Sequence, residues 1–384
     1  MPSDLIIIPQ LTIHPNQIFT YNEYHFTKPH VKHRYDNSSE KDNSAAPEKF
    51  LKSSRSANYL VSPNAKKKMN RAIDYLLLMS NTKTFANIYT GRNQQFKIAF
   101  VTLTLPSNQI HSDNEIKHKC LNSFLIELKK FYKVKNYVWR SEKQGNGNIH
   151  FHILVDKFIP HQEMRDRWNR IVNKLGYVNR YRESQINWHR NGFRVRKRLL
   201  RTWPEQKQKE AYDRGSKILW NSPNSTDIHS IREIHNIKEY FSKYMTKNED
   251  NYTRLMDASL EFKVKCSNGP GPGNKNRYSW KQRAVRLKIK RLRKKYENSG
   301  RIWGCNTELS KIEGARACMD SNLEQELTFV EKTFKPRKFN DSYFSVFYID
   351  ITMLNSGKSP GLFKLFSQFM LNKFNYSIQT EIAA

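Results

Sequence analysis

Apolar positions change their spacing several times between residues 64 and 176. In Asn64–Asn81, Met69, Ile73, Leu76 and Leu77 recur at helical intervals behind a basic start. "KIAFVTLTLP" (Lys97–Pro106) is rich in β-branched and aromatic residues and stops at a proline, which predicts a strand. "HKCLNSFLIELKKFY" returns to helical spacing, with Leu121, Phe124, Leu125 and Leu128 on one face. "YVWRSEKQ" and "NIHFHILVD" flank the turn residues Gly145, Asn146 and Gly147 and predict a hairpin. "QEMRDRWNRIVNKLG" predicts a further helix, closed by Gly176. The order strand, helix, hairpin, helix gives an α+β fold: a central, largely antiparallel sheet with the His-x-His strand in its middle and helices flanking it.

The rest of the chain divides around that block. Residues 1–60 begin with a strand-like run, "LIIIPQLTI", and continue as a polar segment expected to be a flexible arm. Residues 61–260 form the main domain, led by the basic helix. Within it, Tyr177–Thr226 is basic and irregular with further strand candidates, and "SIREIHNIKEYFSKYMTK" predicts a helix. Residues 261–384 hold a Pro/Gly linker, "SNGPGPGNKN", then a basic helix with Val285, Ile289, Leu292 and Tyr296 on one stripe. Two strand-like runs, "ELTFVEKTF" and "YFSVFYIDITML", complete this basic C-terminal accessory region.

Charge narrows the function. There are 67 Lys and Arg against 35 Asp and Glu, a formal net charge of +32. An excess of that size calls for a polyanionic partner. No apolar run is long enough to span a bilayer, so a membrane partner is not expected. "MPSDLIIIPQ" lacks a charged n-region and a small-residue cleavage site, so secretion is not expected either. Nucleic acid is the better partner. Cys120, Cys266, Cys305 and Cys318 are scattered without pairing motifs and read as free thiols in or near the core of a protein in a reducing compartment. "NSGKSPG" contains Gly-Lys-Ser, but Thr352 stands where a phosphate-binding loop needs its first glycine, so no nucleotide site is assigned.

Two constellations carry chemistry. Alternate strand residues share a face, so His150 and His152 project together while Phe151, Ile153 and Val155 take the other side. A three-residue loop at Gly145–Asn146–Gly147 sets Glu142 opposite His150 on that face, whereas a two-residue turn would set it opposite Phe151. The longer loop is expected, with a glycine supplying positive φ. Two imidazoles and a carboxylate then form a cation site whose donors suit iron(II) or zinc as well as magnesium or manganese. The second constellation is "EYFSKYMTK", with Tyr240 three residues before Lys243 and Tyr244 three before Lys247. On a helix Tyr244 lies about 40° from Tyr240 and Lys247 about 20° to its other side. A lysine ammonium nearby favours phenolate, which an isolated tyrosine reaches only near pH 10. Against these readings stand histidines on a solvated sheet face and an amphipathic helix with snorkelling tyrosines.

"FVTLTLP", "GNIHFHILVD" and "YFSKYMTK", in that order, resemble the three motifs of the HUH (His–hydrophobic–His) rolling-circle replication initiators. The doubled tyrosine looks most like the initiators of microviruses, small single-stranded DNA phages, over roughly Phe96–Lys247. The resemblance implies that His150, His152 and Glu142 bind Mg²⁺ or Mn²⁺, that Tyr240 and Tyr244 are nucleophiles, and that Lys243 and Lys247 assist them. It implies a site-specific single-strand endonuclease and ligase that nicks origin DNA, holds a 5′-phosphotyrosine and later rejoins the strand. Its partners would be single-stranded and origin DNA with a host helicase and DNA polymerase, in the cytoplasm of a bacterial host. A plasmid mobilisation relaxase or transposase of the same chemistry, and a non-catalytic DNA-binding protein, are the alternatives. An iron oxygenase would leave the paired tyrosines and the positive charge unused.

"HRNGFRVRKRLLRTW" (His189–Trp203) and the basic helix around Arg283–Lys295 are the densest positive patches. Trp188, Phe193 and Trp203, interleaved with the first, suit stacking on exposed bases while arginines follow phosphates.

Overall fold

The alternating strand and helix periods resolve into two compact units in the computed structural model. It describes residues 5–26, 62–80, 82–86, 93–231, 283–285, 287–289, 291–292, 298–355 and 359–378. One unit comprises residues 52–69 and 82–306, the other residues 1–51, 70–81 and 307–384.

The first of these is built on the hydrophobic strand β5 (Ile98–Leu103) and the hairpin β6 (Tyr137–Lys143) and β7 (Ile149–Val155). With β8 (Thr226–Ile231) and β9 (Trp303–Cys305) they form a five-stranded sheet in the order β8-β5-β7-β6-β9, while β3 (Lys83–Ala86) and β4 (Asn93–Phe96) pair with each other. Every neighbouring pair is antiparallel, and the His-x-His strand is central, as its pattern predicts. A strand in that position is flanked on both edges, and each of its seven residues is buried.

One face of the sheet carries the core. Val101, Leu103, Trp139, Ile149, Phe151, Ile153 and Val155 pack against Ile116, Cys120, Leu121, Phe124, Leu125 and Leu128 of the preceding helical segment and Met164, Trp168, Ile171 and Val172 of the helix His161–Asn173. That segment runs from Asp113 to Tyr132 through a π-helical stretch at Lys117–Leu121. Trp168 is fully buried and its Nε1 donates to the Thr104 carbonyl oxygen at 2.7 Å, which satisfies the ring's one polar group. Each such large apolar side chain contributes about 1.5–3 kcal/mol by leaving water.

Three local expectations fail. Tyr177–Thr226 supplies helices Tyr177–Trp188 and Glu205–Lys217 rather than strands, before β8 begins. Gly176, at φ 77°, ends one helix and starts the next, and the Asn173 side chain accepts from Asn179 N. Glu205 at the start of the second helix and Arg214 and Lys217 at its end complement the helix dipole. "ELTFVEKTF" lies in a helix, Ser321–Phe334, because Asp320 caps it through Leu323 N and Leu327 and Val330 bury one stripe. "YFSVFYIDITML" is strand only over Phe344–Tyr348, after which Ile351–Asn355 forms a 3-10 turn.

In the other unit the run "LIIIPQLTI" lies in β1 (Leu5–His14), hairpinned to β2 (Gln17–Phe26). They join β10 (Ala315–Cys318), β11 (Arg337–Asn340) and β12 (Phe344–Tyr348) in the order β10-β1-β2-β12-β11. The chain's beginning and its last quarter therefore share a sheet, while residues 298–306 complete the sheet of the other unit. Of the cysteines, Cys120 is buried and Cys305 half-buried, whereas Cys318 is exposed and departs from the expectation of thiols in or near the core; Cys266 lies outside the described residues. The polar segment around Lys32–Lys49, expected to be a flexible arm within residues 1–60, lies outside them as well. In the basic segment, Arg283–Val285 and Leu287–Ile289 are helical and Val285 is buried.

Candidate metal centre

The hairpin's loop sets its register. Gln144 N donates to the Asn148 carbonyl oxygen at 2.9 Å, which leaves Gly145, Asn146 and Gly147 as the loop. Gly147 N donates to Gln144 O at 2.8 Å and Gly147 takes φ 87°, a conformation that glycine adopts freely. Glu142 consequently pairs with His150 and Arg140 with His152, all on the sheet face opposite the core.

On that face Glu142, His150 and His152 converge. One ligand atom from each lies within 4.8 Å of the others. His152 Nε2 and Glu142 Oε1 are 3.2 Å apart, and the two imidazole centroids 4.5 Å apart at 83°. All three side chains are buried, at 5%, 8% and 4% exposure for Glu142, His150 and His152. The other nitrogen of His152, Nδ1, lies 3.3 Å from Thr102 Oγ1, and its ring tilts against Phe100 at 5.1 Å. A hydroxyl on one ring nitrogen leaves the other aimed at the carboxylate, which is how second partners orient a histidine ligand.

These residues fit a divalent cation. Ligands about 2.1 Å from an ion sit about 3 Å apart when adjacent in an octahedral set. The 3.2 Å contact between His152 and Glu142 matches that spacing. Two neutral nitrogens and one carboxylate oxygen accept several divalent ions and leave coordination positions for substrate or water.

The structure adds residues to this constellation. Arg140 is fully buried two positions before Glu142 on the same face. Burial pushes its guanidinium pKa down to about 10, against the attraction of Glu142, so it stays cationic at neutral pH. The period-2 rule that paired the histidines also places Arg140 here, and its charge is the signal the sequence held. Thr102 joins through the β5–β7 register, which pairs it with His152. Asn148 is buried at the hairpin's base, where its Oδ1 accepts from Gln109 N at 2.8 Å and its Nδ2 donates to Ser107 O at 2.8 Å. Ile149 N donates to Gln109 Oε1, which fixes the start of the histidine strand. Tyr240, Lys243, Tyr244 and Lys247 lie outside the described residues; of the helix expected over Ser230–Lys247 only Ser230 and Ile231 are described, and they are the end of strand β8, held there by pairing with Ala99 and Ile98.

Residues 98–249 match the family model of replication-associated protein ORF2/G2P. The match runs from β5 past β8, takes in all three residues of the cluster, and extends over Tyr240 and Tyr244. It supports a role in the initiation of DNA replication, and with it DNA binding. Comparison with curated proteins and with solved structures gave no match. Among the described residues no helix is long and apolar enough to cross a membrane.

Proposed function

We propose that this replication-associated chain is a rolling-circle initiator of the HUH type, which nicks one strand of origin DNA through a tyrosine and later rejoins it. The observation that carries this reading is the convergence of Glu142, from β6, with His150 and His152 of the central strand β7. The family match over residues 98–249 and the net charge of +32 support it. Chain length permits the tyrosines to reach the site. Tyr240 follows Ile231, the last residue of β8, by nine positions. As the helix that the sequence predicts, such a stretch spans about 14 Å, against about 13 Å along the strand from the Ile98 level to the Thr102 level beside His152.

In the proposed mechanism, His150, His152 and Glu142 hold Mg²⁺ or Mn²⁺. The chemistry such an ion supplies is Lewis-acid polarisation of the scissile phosphate. Thr102 keeps His152 oriented, and Arg140 adds a fixed positive charge to a face that otherwise carries the Glu142 carboxylate. The phenolic oxygen of Tyr240 or Tyr244 attacks phosphorus in line, and its proton is given up as the new bond forms. The P–O3′ bond breaks, and the departing oxygen takes a proton to become a free 3′-hydroxyl. Lys243 and Lys247 favour the phenolate and offset charge on the phosphoryl oxygens. The 5′-phosphotyrosine conserves the phosphodiester, so attack by a later 3′-hydroxyl rejoins the strand without ATP. Two tyrosines allow one to hold the first link while the other cuts the regenerated origin. The released 3′ end primes a host polymerase, with unwinding left to a host helicase, in a bacterial cytoplasm infected by a small single-stranded DNA phage.

The test is a covalent adduct. Wild-type protein with Mn²⁺ and a labelled single-stranded oligonucleotide carrying the cognate origin is expected to give a band that survives denaturing electrophoresis. The band disappears with chelator, in His152→Ala, and in the Tyr240→Phe/Tyr244→Phe double variant. An adduct that persists in that double variant would remove the tyrosine mechanism, and an adduct that forms in no condition leaves a non-catalytic DNA-binding protein.

A further inference from the structure

Between the helices Tyr177–Trp188 and Glu205–Lys217, the loop that joins them and the helix His161–Asn173 lies a cavity of about 750 Å³. Four aromatic rings form a cluster there. His189 lies parallel to Phe193, at 10° and 6.3 Å, and to Trp220, at 4° and 5.7 Å. Tyr212 touches all three, at 4.7 Å from His189, 5.6 Å from Phe193 and 6.0 Å from Trp220. A core cluster of this size would be buried, yet each of the four rings is only partly covered. Burial, with the charge of Arg196, pushes the His189 imidazole below its ordinary pKa, so it stacks as a neutral ring.

The rim is cationic. Arg165, Arg194, Arg196 and Arg214 line the cavity with one carboxylate, Asp166, which already accepts from Gln162 Nε2 at 2.8 Å. Residues 184–204 hold Arg190, Arg194, Arg196, Lys197, Arg198 and Arg201 and no acidic residue. Arg194 and Arg196 are braced on their other side by the Trp188 ring, at 4.2 and 5.4 Å. Arg196 Nη2 also donates to Gln185 Oε1, and Gln208 Oε1 accepts from the Arg196 backbone N at 2.8 Å. Two polar atoms of lining residues, Arg165 Nε and Ser222 Oγ, are buried and have no hydrogen-bond partner among the described residues.

We infer that this cavity holds an unpaired base of single-stranded DNA against the His189–Phe193–Tyr212–Trp220 rings, with the arginines on its flanking phosphates. The volume lies within the ~300–1,000 Å³ of pockets that take small ligands, room for a nucleotide. An acidic peptide would use the arginines but give the partly covered rings no partner. A base supplies a π-face for them, and stacking of this kind tolerates any sequence. The inference rests on the replication reading and names a strand-holding site separate from the metal-ligand cluster.

The experiment uses the full chain in EDTA, so that binding is read without nicking. A labelled oligothymidylate and an abasic strand of equal length are titrated by fluorescence anisotropy, with thermal unfolding as the check on folding. Tyr212→Ala is expected to weaken oligothymidylate binding by about tenfold or more and to leave the abasic strand within about twofold. Tyr212→Phe keeps wild-type affinity for both, and Arg194→Gln, on an exposed residue, weakens both strands alike. Equal affinity of Tyr212→Ala and wild type for oligothymidylate overturns the inference. So does thymidine monophosphate binding as tightly as the strand, which marks a free-nucleotide site, or polyglutamate competing as well as the strand, which marks a protein partner. A chain that shows the expected pattern but forms no covalent adduct keeps the pocket and loses nicking; one that forms the adduct but ignores Tyr212→Ala loses the pocket alone.

Discussion

Gly147 holds the φ of 87° that lets three residues close the hairpin, and the closure puts Glu142 across from His150. A side chain in that left-handed conformation costs about 1–2 kcal/mol. Gly147→Ala is therefore expected to lower the urea-unfolding free energy by about 1 kcal/mol. Gly145 differs by two positions and by physics: its φ is not positive, and a Cβ there meets nothing within 4 Å. Gly145→Ala should unfold at the wild-type urea concentration or slightly above, because it restricts the unfolded chain. Equal destabilisation by both substitutions would mean that the turn does not depend on Gly147. The carboxylate followed once the longer of two possible loops was expected, and both histidines were legible from residue spacing. Thr102 was not, because its nearness to His152 depends on pairing between strands some fifty positions apart.

At the scale of elements, the short strand β9 and the residues before it hold β6 in place. β9 pairs with Val138, Trp139 and Arg140, and Ser141 N donates to Ile302 O at 2.8 Å. Asn298, buried, donates from Nδ2 to both the Ser141 carbonyl oxygen and Oγ, each at 2.9 Å. Lys117 meets the same segment, with Nζ donating to Asn298 Oδ1 at 2.7 Å and Ser299 O at 2.6 Å. Burial pushes the Lys117 pKa down to about 8, with Asp113 opposing. An unfolded lysine titrates near 10.4, so the buried charge burdens the fold fully below pH 8, and the burden lifts as pH rises towards the unfolded value. Relative to Lys117→Met, wild type should gain about 2–3 kcal/mol of unfolding free energy between pH 7.5 and 10.5. Urea titrations of both proteins at the two pH values give that difference; a pH-independent gap would show that Lys117 is not held charged in the fold.

Across the whole molecule, sequence order and spatial order diverge. A linear division at residues 60 and 260 separates β9 and Asn298 from the sheet they complete, and β1 and β2 from β10 and β12. The physical cause is that a sheet edge recruits whichever strand covers its open hydrogen bonds, however far along the chain that strand lies. A fragment of residues 82–306 retains all five strands of the sheet, whereas 82–260 leaves the β6 edge uncovered. The shorter fragment is expected to unfold with at least ~3 kcal/mol less free energy, from the lost bonds of β9 and Asn298. Urea unfolding followed by circular dichroism measures this, and equal stability of the two fragments would reduce β9 to an ornament of the sheet.

The sequence by itself determined the antiparallel sheet, the shared face of His150 and His152, and a positive charge suited to nucleic acid, because each follows from local period, turn chemistry or composition. Helices at Tyr177–Trp188 and Ser321–Phe334 escaped it, since short mixed runs carry no decisive period: the first starts from the left-handed Gly176 and buries Tyr177 and Val178, the second is settled by its Asp320 cap and the buried Leu327 and Val330. Tertiary structure alone decided which distant strands close each sheet, which hydroxyl meets His152, and that the rings of His189, Phe193, Tyr212 and Trp220 gather within an arginine rim. Those are products of packing between remote segments, and packing is a property of the folded chain as a whole.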